Sequence, residues 1–482
     1  MPGVLEGLEP ALVWHWFEKL SAVPRASGDE SRAAGFLETF ASDRGLPKRR
    51  DSVGNVLITK PGSGSAASSP PVALQAHVDM VAEKATGSTH DFSRDPIRLE
   101  VEGDWVLARE TTLGADNGLG VAIMLAILDD PSATHPPLEC LFTVDEERGL
   151  TGASRLDPSW LSARRLINLD SENEGRFCIG CAGGLDIVVT LPMRRSVAPS
   201  GLEGVRISVN GLKGGHSGME IGRGRANAIR IIARIVHRML DRGCHLSSIS
   251  GGTKRNAIPR SATAVMLVSP SSRASISELL TDLERQQRQE YALVDERIAI
   301  SMEPVGPVEG IYDHSSASIL ADMLLGFPHG VEKLSGVTPG LVETSLNLAL
   351  LEETGRGVAT VLTLRSLRDD AKLNLAERLM AIGRLADARI EAGGGYPGWS
   401  PDPSSKLLAV VKRLYREFSG SEAVIETVHA GVECGIIGSR MGGMDMISMG
   451  PDIRDVHIPG ERASIASTAR TWAFIRMLLE NL

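Results

Sequence analysis

Five side chains able to hold metal ions are scattered between positions 77 and 457, and a fold that uses them must bring both ends of the chain to one place. They are His77, Asp116, Glu147, Asp170 and His457. Each lies at the end of an apolar, strand-like run or in a Gly-rich turn beside one. Zn²⁺ takes imidazole nitrogen and carboxylate oxygen, and a catalytic zinc keeps a position for water. Two such ions ~3.5–4 Å apart can share one carboxylate and one water. If Asp116 is the shared carboxylate, one ion takes His77, Asp116 and Asp170. The other takes Asp116, Glu147 and His457. Asp79 and Glu146 lie beside two of these ligands and offer the acid/base groups that such a centre needs.

The local sequences suit these roles. Pro71-Val-Ala-Leu-Gln-Ala-His77 reads as a buried strand. Residues i and i+2 of an extended chain face the same way, so His77 and Asp79 share a face. Asp79 can then accept the second imidazole N–H of His77, which fixes the tautomer and raises ligand basicity. Asp116 sits in Leu113-Gly-Ala-Asp-Asn-Gly118, a turn opening the helical run 119–128. Glu146 and Glu147 follow the apolar strand 138–144, and Asp170 ends the strand 165–170. Open α/β sheets place their sites at the carboxyl ends of parallel strands. Taken singly, each element has an ordinary reading. His-x-Asp is a common hydrogen-bonded pair, Asp-Asn-Gly a common turn, and Glu-Glu a common solvated pair. Their order at successive strand ends is what points to a metal centre.

Composition narrows the remaining classes. The 482-residue chain is 42% hydrophobic, which supports a large core and argues against wholesale disorder. Its net charge of −9 and pI near 5.8 argue against a nucleic-acid surface. The amino-terminal residues lack the basic stretch of a signal peptide. No apolar run reaches the roughly 18 residues that a membrane span requires. The five cysteines form no recognisable disulfide framework, so a cytoplasmic enzyme is expected. Cys178-Ile-Gly-Cys181 stands alone and is read as structural. No Gly-x-Ser-x-Gly, P-loop or His-Glu-x-x-His pattern occurs.

Strands and helices alternate up to about residue 200, as in an α/β layer fold. Residues 202–389 read as self-contained, with strands 205–210, 262–269, 297–303 and 358–366. Their helices fall at 226–240, 276–288 and 373–386, and His237 lies off the apolar stripe of the first. The α/β pattern resumes afterwards. Because His457 must return to the metals of the first section, one catalytic domain (1–201 and 390–482) is interrupted by an insert (202–389). The two crossings, near residues 201 and 389, would serve as hinges.

Further segments follow in order: Cys181-Ala-Gly-Gly184, Gly211-Leu-Lys-Gly-Gly-His-Ser-Gly218, Arg255-Asn-Ala-Ile-Pro-Arg260 and Val342-Glu-Thr-Ser-Leu-Asn347. They continue with Tyr396-Pro-Gly-Trp399, His429-Ala-Gly-Val-Glu-Cys434 and Met444-Asp-Met446. Together with the segments around His77 and Asp116, they resemble those of the co-catalytic zinc peptidases. That family includes glutamate carboxypeptidase, aminoacylase-1 and the carnosine dipeptidases. The likeness covers nearly the whole chain and is closest to the bacterial aminoacyl-histidine dipeptidase branch. There are two departures. The last histidine usually follows Gly-Pro and precedes Ser-Pro, whereas here it stands in Arg454-Asp-Val-His-Ile-Pro-Gly-Glu461. A Thr often precedes the glutamate pair where this chain has Asp145.

The resemblance implies a zinc-peptidase-like α/β catalytic domain with a mixed central sheet, interrupted by a two-layer α/β lid that mediates homodimerisation. It implies two zinc ions per chain, with manganese or cobalt as alternatives, and a cis Asp116–Asn117 peptide. The expected substrates are small dipeptides of the Xaa-His type, such as carnosine. Glu146 would act as general base and then acid, and lid residue His216 would reach the scissile carbonyl oxygen. Asn256, Arg365 and Glu433 are the expected substrate contacts; a guanidinium binds carboxylate through two parallel donors. Other readings are an N-acyl amino-acid deacylase or aminopeptidase of the same superfamily, or a catalytically silent peptide-binding scaffold. Retention of Glu146 and all five ligands argues against the last.

Overall fold

A computed structural model describes residues 3–336 and 340–482, and the chain divides into two compact units. The first comprises residues 1–181, 399–427 and 432–482; the second comprises 182–398 and 428–431.

The first unit is built on an eight-stranded mixed sheet. Its centre is four parallel strands in the order Leu138–Thr143, Val72–His77, Arg165–Asn168 and Asp445–Ser448. Val56–Lys60 and Arg176–Cys181 flank them antiparallel. Every residue of Val72–His77 is buried. That is the pattern of an interior parallel strand covered on both faces. The helix Ala115–Asp129 packs against this strand and against Ala11–Ser21. Its residues from Asn117 to Leu128 are all buried, as a helix that is apolar all round must be. Its close approach to the sheet depends on Gly120, where a Cβ would lie 2.6 Å from the Leu169 carbonyl oxygen.

The second unit carries a nine-stranded sheet in which every pairing is antiparallel. In Glu203–Asn210, buried Val205, Ile207 and Val209 alternate with more exposed positions, the signature of a sheet covered on one face. Four helices, Ala228–Leu240, Arg273–Glu290, His314–Gly326 and Asp369–Leu385, share a core with this sheet. The first starts two residues later than its periodicity suggests. The Asn227 side chain caps it, accepting from the backbone N–H of Ile229 and Arg230. His237 sits at its half-exposed rim, 3.1 Å from Asp322.

The unit boundaries differ from the expected cuts. Gly183–Leu191 pairs with Gly357–Ser366 on one side and Arg389–Tyr396 on the other. The second unit therefore extends beyond 202–389 in both directions. The short segment 428–431 also belongs to it, so the chain crosses between units four times rather than twice. Arg389–Tyr396 is an exposed, Gly-rich strand without the apolar alternation that would mark it in the sequence.

Gly120→Ala is expected to destabilise the first unit by about 1–3 kcal/mol, the usual cost of overpacking. Denaturant unfolding would measure it; unchanged stability would show that the helix can move away from Leu169.

Candidate metal centre and the residues that support it

The parallel strands deliver their ligands to one edge. His77 is the last residue of its strand, Asp170 lies two beyond Asn168, and Glu146 and Glu147 lie just beyond Thr143. His77 Nε2 is 3.2 Å from both Asp116 Oδ1 and Asp170 Oδ1. His457 Nε2 is 3.1 Å from Asp116 Oδ2 and 2.9 Å from Glu147 Oε1. Asp116 thus presents one oxygen to each imidazole. Two triads result, His77/Asp116/Asp170 and Asp116/Glu147/His457, and the donor atoms of each lie within 4.8 Å of one another. His77, Glu146 and Glu147 form a third such group. His457 reaches this position from the altered loop with a left-handed backbone, φ 64°. The Asp116–Asn117 peptide is cis.

Asp79 is fully buried and ties two parts of the site together. Its carboxylate accepts the Ser27 hydroxyl at 2.8 Å and the backbone N–H groups of Glu146 and Glu147 at 3.1 and 3.3 Å. Its Oδ1 also lies 3.4 Å from His77 Nδ1, with its own carbonyl oxygen at 3.2 Å. Burial opposes ionisation here, but His77, the Glu146 N–H and Ser27 hold the carboxyl at about 2.

The electrostatics favour a cation. Burial pushes Asp170 up to about 6, and the carboxylates of Asp116 and Glu147 add to the shift. Burial also drives Glu146 well above the ordinary range, with Asp170, Glu433 and Glu147 adding their repulsion. Hydrogen bonds to Asp116 and then Glu147 raise His457 to about 11. Such a crowd of carboxylates holds protons unless positive charge is supplied. The donor set of imidazole nitrogen and carboxylate oxygen, sharing one carboxylate, suits a pair of zinc-like ions.

Several residues support the site without being ligands. Glu461 is buried, and its carboxylate accepts four backbone N–H groups, from Leu113, Gly114, Ala115 and Asp116, at 2.8–3.3 Å. Arg25 is buried as well. Its guanidinium donates to the carbonyls of Val78, Asp79 and Gly114, and burial lowers it to about 10. Gly114 and Gly118 leave room for it: a Cβ at Gly118 would lie 2.6 Å from Arg25 Nη2. A buried polar ladder crosses the parallel strands below the ligands. Asn168 donates to Gln75, which donates to Thr143 and Glu433, and Thr143 also donates to Glu433. The expected substrate contact Glu433 is thus the end of this ladder. Its Oε1 is buried without a hydrogen-bond partner. Cys178 and Cys181 are buried thiols bonded to the carbonyls of Gly180 and Val432.

His216, Asn256 and Arg365 belong to the second unit. A Cβ at Gly218 would lie 3.2 Å from both Arg365 Nε and His216 Cε1, so a glycine there lets the two side chains converge. Arg365 donates to the Tyr396 hydroxyl at 2.9 Å, and its Nε is buried without a partner. Asn256 is exposed, and its carbonyl accepts the Ser217 N–H at 2.8 Å.

The fold and the donor set define a metal-dependent peptidase, and comparison with known proteins agrees. The model of a peptidase dimerisation domain matches residues 200–294. The chain is 38% identical to the cytosol non-specific dipeptidase of Escherichia coli K12, over 99% of both chains. The crystal structure of aminoacylhistidine dipeptidase from Vibrio alginolyticus superposes with a TM-score of 0.92 at 36% identity, covering 99% of this chain and 98% of that one. An aminopeptidase from Bacillus cereus, 16% identical with a TM-score of 0.56 over 98% of both chains, shares the fold. The chain belongs to the M20 peptidase family, and it is a metallopeptidase. Among the described residues, no helix is long and apolar enough to cross a membrane.

Glu461→Ala is expected to leave the five ligands in place but weaken metal binding roughly 10–100-fold, the scale for residues that orient ligands. Titration with a competing chelator would measure it; wild-type affinity would remove Glu461 from the metal centre's support.

Proposed function

We propose that the protein is a dinuclear, zinc-dependent cytosolic dipeptidase acting on Xaa-His and related small dipeptides. The observation that carries this reading is the pair of triads sharing Asp116, with the half-buried carboxyl of Glu146 beside them. The names of the cytosol non-specific dipeptidase and the aminoacylhistidine dipeptidase described above support the substrate class. His77, Asp116 and Asp170 would hold one ion, and Asp116, Glu147 and His457 the other. When bound, two adjacent divalent ions supply an acidified water and polarise a carbonyl.

The chain's own groups do the rest. Glu146 takes a proton from the attacking water and returns it to the leaving amine nitrogen, acting as base and then acid. A carboxyl raised by burial is suited to holding that proton between the two transfers. Asp79 orients His77 and anchors the turn that carries Glu146. His216 donates to the carbonyl oxygen as negative charge develops there. Arg365 takes the substrate carboxylate and Asn256 contacts the substrate backbone, while buried Glu433 braces the site as the end of the polar ladder. The match of residues 200–294 to a dimerisation domain supports a homodimer formed through the second unit.

Purified enzyme is expected to bind two divalent ions per chain and to lose hydrolysis of β-Ala-His on chelation, with Zn²⁺ or Mn²⁺ restoring it. Elemental analysis of fully active enzyme with one ion or none would refute the dinuclear assignment. A parallel assay on Gly-Gly and N-acetyl amino acids separates dipeptidase from deacylase. Glu146→Ala is expected to keep its metals and lose roughly 10²–10⁴-fold in kcat, whereas Glu147→Ala loses metal at one site. The reverse outcome would exchange the two roles.

A further inference from the structure

The turn that carries His216 is built to fix which ring nitrogen holds the proton. His216 Nδ1 accepts two backbone N–H groups, from Gly218 at 3.2 Å and Met219 at 3.0 Å. A nitrogen that accepts hydrogen bonds carries no proton, so the neutral ring must carry its proton on Nε2. An imidazolium would set a third N–H against two donors.

The same turn is held from behind. The backbone N–H of His216 donates to Glu220 Oε2 at 2.9 Å, and the N–H of Glu220 returns to the His216 carbonyl at 3.1 Å. The other oxygen, Glu220 Oε1, accepts from Arg225 Nη2 at 2.7 Å. Arg225 Nη1 in turn donates to the Gly214 carbonyl. Arg225 is largely buried, with 14% of its side chain exposed, against 26% for Glu220. Gly215, at φ 131°, lies where a Cβ would run into both Arg225 and Glu220. The Ser217 N–H is taken by the Asn256 carbonyl. Backbone on both sides of the ring is therefore pinned, with the Glu220–Arg225 ion pair at the hub.

We propose that Glu220 and Arg225 are positioning residues that lock His216 as a neutral imidazole, its Nε2–H presented as a hydrogen-bond donor. The inference rests on the reading of His216 as the donor to the scissile carbonyl and deepens it. A neutral N–H gives a hydrogen bond without surrendering its proton to the tetrahedral oxygen, and a preset donor needs no reorganisation during the reaction. Arg365 is the charged side chain that converges on the ring, and it faces the ring's neutral form without like-charge repulsion. Burial first, and then Arg365, lower the pKa of His216, against an opposing pull from Glu220.

Two measurements on the full-length, metal-loaded enzyme test this. In protein labelled with ¹⁵N-histidine, the His216 signals are assigned by their absence in His216→Ala. The expected result near neutral pH is a protonated Nε2 and a bare Nδ1. A protonated Nδ1, or two protonated nitrogens, would overturn the inference. The second measurement is a kinetic cycle on β-Ala-His with His216→Ala, Glu220→Ala and the double variant. Glu220→Ala is expected to lower kcat roughly 10–100-fold, the scale of a small misplacement of a catalytic group. KM and metal content should change little. In a His216→Ala background the same substitution should cost nothing further, since both act through one group. Glu220→Gln, which can still accept the His216 N–H, should recover part of the loss and covers the case in which Glu220→Ala fails to fold. Full activity in Glu220→Ala beside an impaired His216→Ala would overturn this inference alone, as would losses that add. Full activity in His216→Ala would overturn both it and the reading beneath it.

Discussion

The Asp116 carboxylate faces an imidazole on each side, and much of the first unit is arranged to make that possible. Its two oxygens lie 3.1–3.2 Å from histidines that are 380 positions apart in the chain. Such an arrangement works only if the backbone of the Asp116 turn cannot rotate. Glu461 takes up four of that turn's N–H groups, and Arg25 holds the Gly114 carbonyl. Burying a carboxylate and a guanidinium is costly unless their hydrogen bonds are satisfied. Here the Glu461 carboxylate is met by four N–H groups of the turn that leads into the helix Ala115–Asp129.

Below the ligands, the parallel strands carry polar side chains at one level. Thr143, Gln75 and Asn168 sit in an otherwise apolar sheet interior and bond across it to Glu433. Partly satisfied polar groups in a core would destabilise it, whereas a connected ladder sets one arrangement of the strands. The open end of the ladder is Glu433 Oε1, and the acidic ligands stand above it. Asp79 provides the corresponding link on the other side, joining His77 to the turn of Glu146 and Glu147. The second unit uses the same economy on a smaller scale: one ion pair and a few backbone amides define the orientation of His216.

The sequence by itself determined the residue types and their order. A histidine ending an apolar run, a Gly-rich turn around an aspartate and a glutamate pair after a strand are local patterns, and side-chain chemistry restricts what they can bind. Interior strands such as Val72–His77 were readable because burial on both faces demands a continuous apolar run. The amphipathic helix Ala228–Leu240 was readable from its stripe, with its start displaced by the Asn227 cap.

Only the tertiary structure decided the rest. Gly183–Leu191 precedes the expected boundary, yet it belongs to the second unit because its hydrogen-bond partners lie about 170 and 200 residues further on, and strand pairing follows contact rather than sequence neighbourhood. The parts played by Arg25, Glu461, Gln75 and Glu220 were invisible for a related reason. An isolated Arg, Glu or Gln reads as a solvated side chain. Arg25 and Glu461 are structural because they are buried against backbone carbonyls and amides supplied by distant segments, Gln75 because side chains of distant strands complete its bonds, and Glu220 because its own turn folds back onto it; side-chain type alone encodes none of this.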